Sequence, residues 1–94
     1  MTEIKLESAI QSAREGHGTR LDVRTAVEVA ESAAPNAINI PLDEIPNHMD
    51  RIKAFPRPIY IFCKSGGRSE SAKAWLNRQG MTDIINIGSW KVLL

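Results

Sequence analysis

Pro58-Ile59-Tyr60-Ile61-Phe62-Cys63-Lys64-Ser65-Gly66-Gly67-Arg68-Ser69 decides the fold. Its apolar run from Pro58 to Cys63 is rich in β-formers, the pattern of a parallel strand buried on both faces in the middle of a sheet. Adjacent glycines break the strand. Ser69 to Gln79 then reads as a helix, with Ala72, Trp75 and Leu76 on one face and Gly80 at the C′ position. In open α/β sheets the functional crevice lies outside the carboxyl ends of the strands, and Cys63 is the last residue of this one.

Working outward, Asp83 to Ile87 is the next strand, after which Gly88 and Ser89 read as a turn. Upstream, Leu6, Ala9, Ile10 and Ala13 recur at helical spacing, and Gly16 and Gly18 stop that helix. Leu21 and Val23 alternate with Asp22 and Arg24 as a strand, and Thr25-Ala26-Val27-Glu28 has the form of a capping box opening a helix that ends before Pro35. Ala37-Ile38-Asn39-Ile40 is a strand closed by Pro41, and Ile45, Met49 and Ile52 mark an amphipathic segment punctuated by Pro46 and Asn47. Strands alternating with helices over short connections imply right-handed crossovers. The expected fold is α/β: an open parallel sheet of four to five strands with helices on both faces, in a single domain over residues 1–94.

Composition narrows the class. Hydrophobic residues at 43% and charged residues at 24% are those of a compact globular chain, neither disordered nor collagen-like. A formal net charge of +1, with Lys and Arg scattered, offers no basic field for nucleic acid or an anionic membrane. Apolar runs fall far short of a bilayer span, and Met1-Thr2-Glu3-Ile4 lacks the features of a leader, so the sequence as written reads as cytoplasmic; removal of a signal peptide would make it periplasmic. Among macromolecules, the expectation is no nucleic acid, no membrane and a monomer. One cysteine excludes an intrachain disulfide, and His17 and His48 are too far apart to suggest a metal cluster, so neither metal nor cofactor is expected. His17, His48 and Trp90 are assigned to surface, loop and packing roles.

A lone buried cysteine is commonly a small hydrophobe. Cys63 departs from that pattern because strand end, double glycine, Lys64, Arg68 and a helix start all fall within seven residues. Loop N–H groups and the helix N-terminus can converge on its sulfur, and the glycines permit the positive φ that such a cradle needs. Dipoles and cations in this arrangement lower a thiol pKa from about 8.5 toward roughly 3.5 to 7.5. A drop of about two units is worth roughly 2.7 kcal/mol of thiolate stabilisation. Four residues separate Cys63 from Arg68, one fewer than in cysteine-dependent phosphatases, whose loop surrounds a tetrahedral phosphate. The tighter cradle suits a more compact anion, such as the outer sulfur of a persulfide.

Cys63-Lys64-Ser65-Gly66-Gly67-Arg68-Ser69 resembles the Cys-x-x-Gly-x-Arg-Ser loop of rhodanese-type sulfurtransferases, particularly the small single-domain members of the phage-shock type. Leu21-Asp22-Val23-Arg24-Thr25 with Glu28, and Ala37-Ile38-Asn39-Ile40-Pro41-Leu42, are similar to two further stretches of that family. Departures are Ala33-Ala34-Pro35-Asn36 in place of Gly-His-Ile-Pro-Gly, and Gly88-Ser89-Trp90 in place of a longer Gly-Gly-x-x-x-Trp.

The resemblance implies ping-pong transfer of a sulfane sulfur, from thiosulfate or a persulfide donor to cyanide, a thiol or a partner protein, through a Cys63 persulfide. Cys63 and Arg68 are the expected catalytic residues. Lys64, Ser65, Gly66, Gly67, Ser69 and Arg24 are the expected substrate-binding residues, with Asp22 as support. Two other classes compete: a phosphatase or arsenate reductase on the same fold, and a non-catalytic carrier or regulatory binding module. The sequence holds no second thiol to resolve a persulfide, so discharge must occur in trans.

Overall fold

The computed structural model describes residues 3–94. Four parallel strands, β1 (Thr19–Asp22), β2 (Ala37–Asn39), β3 (Ile59–Cys63) and β4 (Ile84–Ser89), form one sheet in the order β2-β1-β3-β4. Helices α1 (Glu3–Arg14), α2 (Ala26–Glu31), α3 (Met49–Lys53) and α4 (Gly67–Arg78) alternate with them. Short 3-10 segments cover Leu42–His48 and Trp90–Leu93.

Every residue of β3 is buried, as its uninterrupted apolar run requires. Strand alternation sends Ile59, Ile61 and Cys63 into a core with Leu21, Ile52, Ala72 and Leu76, and sends Tyr60 and Phe62 into a second core with Ala9, Ala13, Trp90 and Leu93. The sheet is therefore covered on both faces. Tyr60 also ties β3 to α1, its hydroxyl donating to Ser12 Oγ at 2.8 Å.

Element bounds differ from the sequence reading in informative places. Gly88 and Ser89 do not leave the sheet as a turn. They pair with Phe62 and Cys63 after a register shift between Ile61 and Phe62, where β4 carries an extra residue. Gly88, at φ 86°, accommodates that irregularity. Helix α4 begins at Gly67 rather than Ser69, and Pro46 converts the start of the third helical segment into a 3-10 stretch before α3. Asn36, standing where the related pattern has glycine, adopts φ 58°, a conformation that asparagine tolerates better than most residues.

The carboxyl end of β1 is held by β2. Asn39 Nδ2 donates to the carbonyls of Asp22 at 3.0 Å and Arg24 at 2.9 Å. Val23 N–H donates to the Phe62 carbonyl at 3.0 Å, which sets the β1 end beside the β3 end. Asp22, Arg24 and Cys63 are thereby brought to one edge of the sheet.

Candidate active site

Cys63 ends β3 with 1% of its surface exposed. The chain then turns at Gly66, the N-cap of α4, with φ 103°. That left-handed backbone is costly for a residue with a Cβ, and it aims the Gly66 N–H at Cys63 Sγ over 3.1 Å. Gly67 is different: it takes no positive φ, and a Cβ there would meet nothing within 4 Å. Only one of the two glycines meets a backbone requirement.

Ser69 is fully buried in the first turn of α4. Its Oγ lies 3.5 Å from Cys63 Sγ, 3.1 Å from the Gly66 carbonyl and 2.8 Å from Asn86 Oδ1. It is not the helix cap; that position belongs to Gly66. Burial pushes the Cys63 thiol up, but hydrogen bonds from the Ser69 hydroxyl and from the N–H groups of Ser69, Ser65 and Gly66 outweigh it, lowering the pKa from 9.0 to about 7. Loop and hydroxyl donors lead this effect, where the sequence reading placed Lys64 and Arg68 beside the dipoles. The donors thereby bring the thiol into the range where a thiolate forms near neutral pH.

Arg68 stands beside this loop with its guanidinium already engaged. Nη1 and Nη2 donate to Glu28 Oε1 and Oε2 at 2.6 and 3.0 Å, a two-pronged ion pair at a half-buried position. The hydrogen bonds from Arg68 lead the effects that hold the Glu28 carboxyl at about 2, and Glu28 in turn raises Arg68. Glu28 serves twice, since its Oε1 also accepts the Thr25 N–H to complete the capping box of α2. Asp22 and Arg24 form a second, buried pair. Arg24 Nε donates to both Asp22 oxygens and Nη2 to Oδ2 at 2.8 Å, with Nη2 also reaching the Ser32 carbonyl. The Arg24 guanidinium stacks 4.6 Å above the Trp90 ring.

Arg24, Lys64 and Ser65 line one crevice of about 440 Å³ together with Glu28, Trp90 and Lys91. Arg24, just beyond β1, therefore meets Lys64 and Ser65 of the Cys63 loop. Trp90 is the packing aromatic expected from the sequence, and it also lines the crevice beside Lys64 and Ser65. Asn86 and the Glu28 contact were missed, because both reach the loop across the fold; the available signals were a polar residue within the apolar run of β4 and an acidic residue following the Asp-Val-Arg stretch. His17 and His48 lie outside this crevice.

No group of three or more His, Cys, Asp or Glu side chains among the described residues could hold a metal ion. Among the same residues no helix is long and apolar enough to cross a membrane.

The rhodanese-like domain model matches residues 6–92. The chain is 35% identical over 88 residues to a sulfurtransferase of Allochromatium vinosum, covering 93% of this chain and 81% of the relative. It is 34% identical over 86 residues to a Bacillus subtilis protein described as a candidate sulfur carrier, covering 90% of this chain but 46% of that protein. The fold superposes on a rhodanese with anions from E. coli with a TM-score of 0.71 and 28% identity, over 79% of this chain and 88% of that one. An α/β parallel sheet, a Cys-x-x-Gly-x-Arg-Ser loop at its carboxyl edge and a family match over nearly the whole length agree, and the chain belongs to the rhodanese-like domain family of sulfurtransferases and sulfur carriers.

Proposed function

We propose that this chain moves a sulfane sulfur from thiosulfate or a persulfide donor to a thiophilic acceptor, cyanide or a thiol, through a persulfide on Cys63. The observation that carries this reading is the Gly66 N–H aimed at Cys63 Sγ over 3.1 Å, with Ser69 Oγ at 3.5 Å. A sulfur held among fixed donors is available as a thiolate, and the same donors suit the anionic outer sulfur of a persulfide.

In the first half-reaction the Cys63 thiolate attacks the outer sulfur of thiosulfate. The S–S bond of the donor breaks, sulfite leaves with the electron pair, and Cys63 carries the persulfide. In the second, cyanide or a thiolate attacks that outer sulfur, and the Cys63 thiolate departs with the electron pair. Both halves balance without a cofactor. Lys64, Ser65 and Arg24, which line the crevice beside the loop, are assigned to an anionic donor, Gly66 and Ser69 to holding the sulfur, and Gly67 opens α4. Asp22 holds Arg24 in place. Arg68 contributes charge at the margin of the cradle while bound to Glu28.

The resemblance to a candidate sulfur carrier favours a second reading, in which Cys63 receives sulfur from one protein and gives it to another. Both readings pass through the same persulfide. The four-residue gap to Arg68 opposes phosphatase or arsenate reductase chemistry. Thiocyanate formation from thiosulfate and cyanide tests the catalytic reading: the protein turns over and folded Cys63→Ala does not. Turnover retained by Cys63→Ala would place the reaction on another residue.

A further inference from the structure

Asn86 lies in β4 between Ile85 and Ile87, yet its carboxamide is wholly engaged. Oδ1 accepts the Ser69 hydroxyl at 2.8 Å and the Gly88 N–H at 3.0 Å. Nδ2 donates to the Gly66 carbonyl at 3.1 Å and to Glu70 Oε1 at 3.3 Å. The orientation of the amide is fixed by its partners, since the Gly88 N–H can only donate and the Gly66 carbonyl can only accept. One side chain thus joins the irregular pairing of β4 to two of the residues that touch Cys63 Sγ.

Gly66 is the residue whose left-handed backbone directs an N–H at the sulfur. Its carbonyl is held by Asn86 and by the Glu70 N–H at 3.0 Å, which leaves the residue little freedom to rotate. Ser69 has one hydroxyl proton and three acceptors within reach: the Gly66 carbonyl, Asn86 Oδ1 and Cys63 Sγ. When Cys63 is a thiol, its S–H can serve Ser69 Oγ while Ser69 donates to Asn86. When Cys63 is a thiolate it has no proton to give, and Ser69 must donate to sulfur instead. Asn86 Oδ1 then keeps the Gly88 N–H, so the exchange leaves no buried acceptor bare.

We propose that Asn86 is a positioning residue for Cys63, fixing Gly66 toward the sulfur and holding the Ser69 proton until ionisation of Cys63 draws it across. The charged groups around the loop are Lys64 beside it, Arg68 and Glu70 on α4, Glu28 on α2, the Asp22–Arg24 pair after β1, and Lys91 beyond β4. Of these only Glu70 touches Asn86, at 3.3 Å, and it lies on the donor side of the amide, away from the Ser69 exchange. The inference rests on Cys63 as the reacting group and does not depend on which donor or acceptor it serves.

The test follows the rate of Cys63 alkylation by iodoacetamide against pH, which needs no sulfur transfer and so separates failure of this inference from failure of the proposed function. In folded Asn86→Ala, loss of the brace on Gly66 outweighs release of the Ser69 proton to the sulfur, so the midpoint rises by about one pH unit and alkylation at pH 7 becomes about fivefold slower. Arg20→Ala, which removes bonds to the Ala13 and Pro35 carbonyls at the other end of the sheet, lowers stability and leaves the midpoint in place. In the unmodified protein, the Asn86 side-chain amide and the Gly88 N–H resonances titrate with the midpoint of Cys63, and lose that titration in Cys63→Ala. An unchanged midpoint in folded Asn86→Ala overturns the inference; should that variant not fold, resonances of Asn86 and Gly88 that ignore Cys63 overturn it equally.

Discussion

Glu28 holds Arg68 by both carboxylate oxygens, at 2.6 and 3.0 Å, while the same side chain caps α2 through Thr25. The arginine of the Cys63 loop is thus fixed to the helix that follows β1. The Glu28 carboxyl lies at about 2, below its ordinary 4.5, chiefly through its hydrogen bonds from Arg68. A carboxyl lowered by folding stabilises the native state above its unfolded pKa, and that contribution is lost as pH falls through the folded value. Glu28→Gln is therefore less stable than the parent at neutral pH, and the difference shrinks between about pH 4.5 and about pH 2. Chemical denaturation across that range measures it.

The two glycines of the loop respond differently to alanine. Gly66→Ala forces a Cβ into a backbone at φ 103°, costs about 1 to 3 kcal/mol and turns the N–H away from Cys63 Sγ, so thermal stability and alkylation rate fall together. Gly67→Ala meets open space at the first turn of α4 and is neutral or stabilising by about 0.5 to 1 kcal/mol.

Arg24→Ala leaves the Asp22 carboxylate buried without its partner, and unfolding in urea shows a loss of about 3 to 5 kcal/mol. The double variant Asp22→Asn/Arg24→Gln recovers part of that loss, because the penalty belongs to the orphaned charge. Recovery is incomplete where stacking on Trp90 is weakened.

Cys63 makes stability depend on pH in the opposite region from Glu28. Its thiol falls from 9.0 to about 7 on folding, so the thiolate contributes stability above about pH 9 that is lost as pH falls through about 7. The full difference is about 2 to 3 kcal/mol. Denaturation from pH 6 to pH 10 shows this rise in the parent, whereas in Cys63→Ser it is absent.

Much of this architecture is legible in the sequence because local rules and tertiary demand agree. The run from Ile59 to Cys63 is apolar throughout and is buried on both faces, and Thr25 with Glu28 forms the capping box that the spacing implies. Gly88 misleads for a physical reason: a glycine normally ends a strand, but here its positive φ lets β4 absorb an extra residue and continue beside Cys63. The Cys63 loop is contiguous, so its chemistry can be read from spacing. Asn86, Trp90 and the second role of Glu28 are visible only once β1, β4 and α2 are brought to the same sheet edge. Gly67 shows the converse, a residue that fits the motif but has no special backbone conformation to satisfy.

The most direct measurement is the intact mass of the protein after incubation with thiosulfate and removal of excess donor. The expected result is a gain of one sulfur atom, removed by reductant or by cyanide with release of thiocyanate, and absent from Cys63→Ala. A protein of unchanged mass across thiosulfate and persulfide donors, with Cys63 still open to alkylation, would contradict the account.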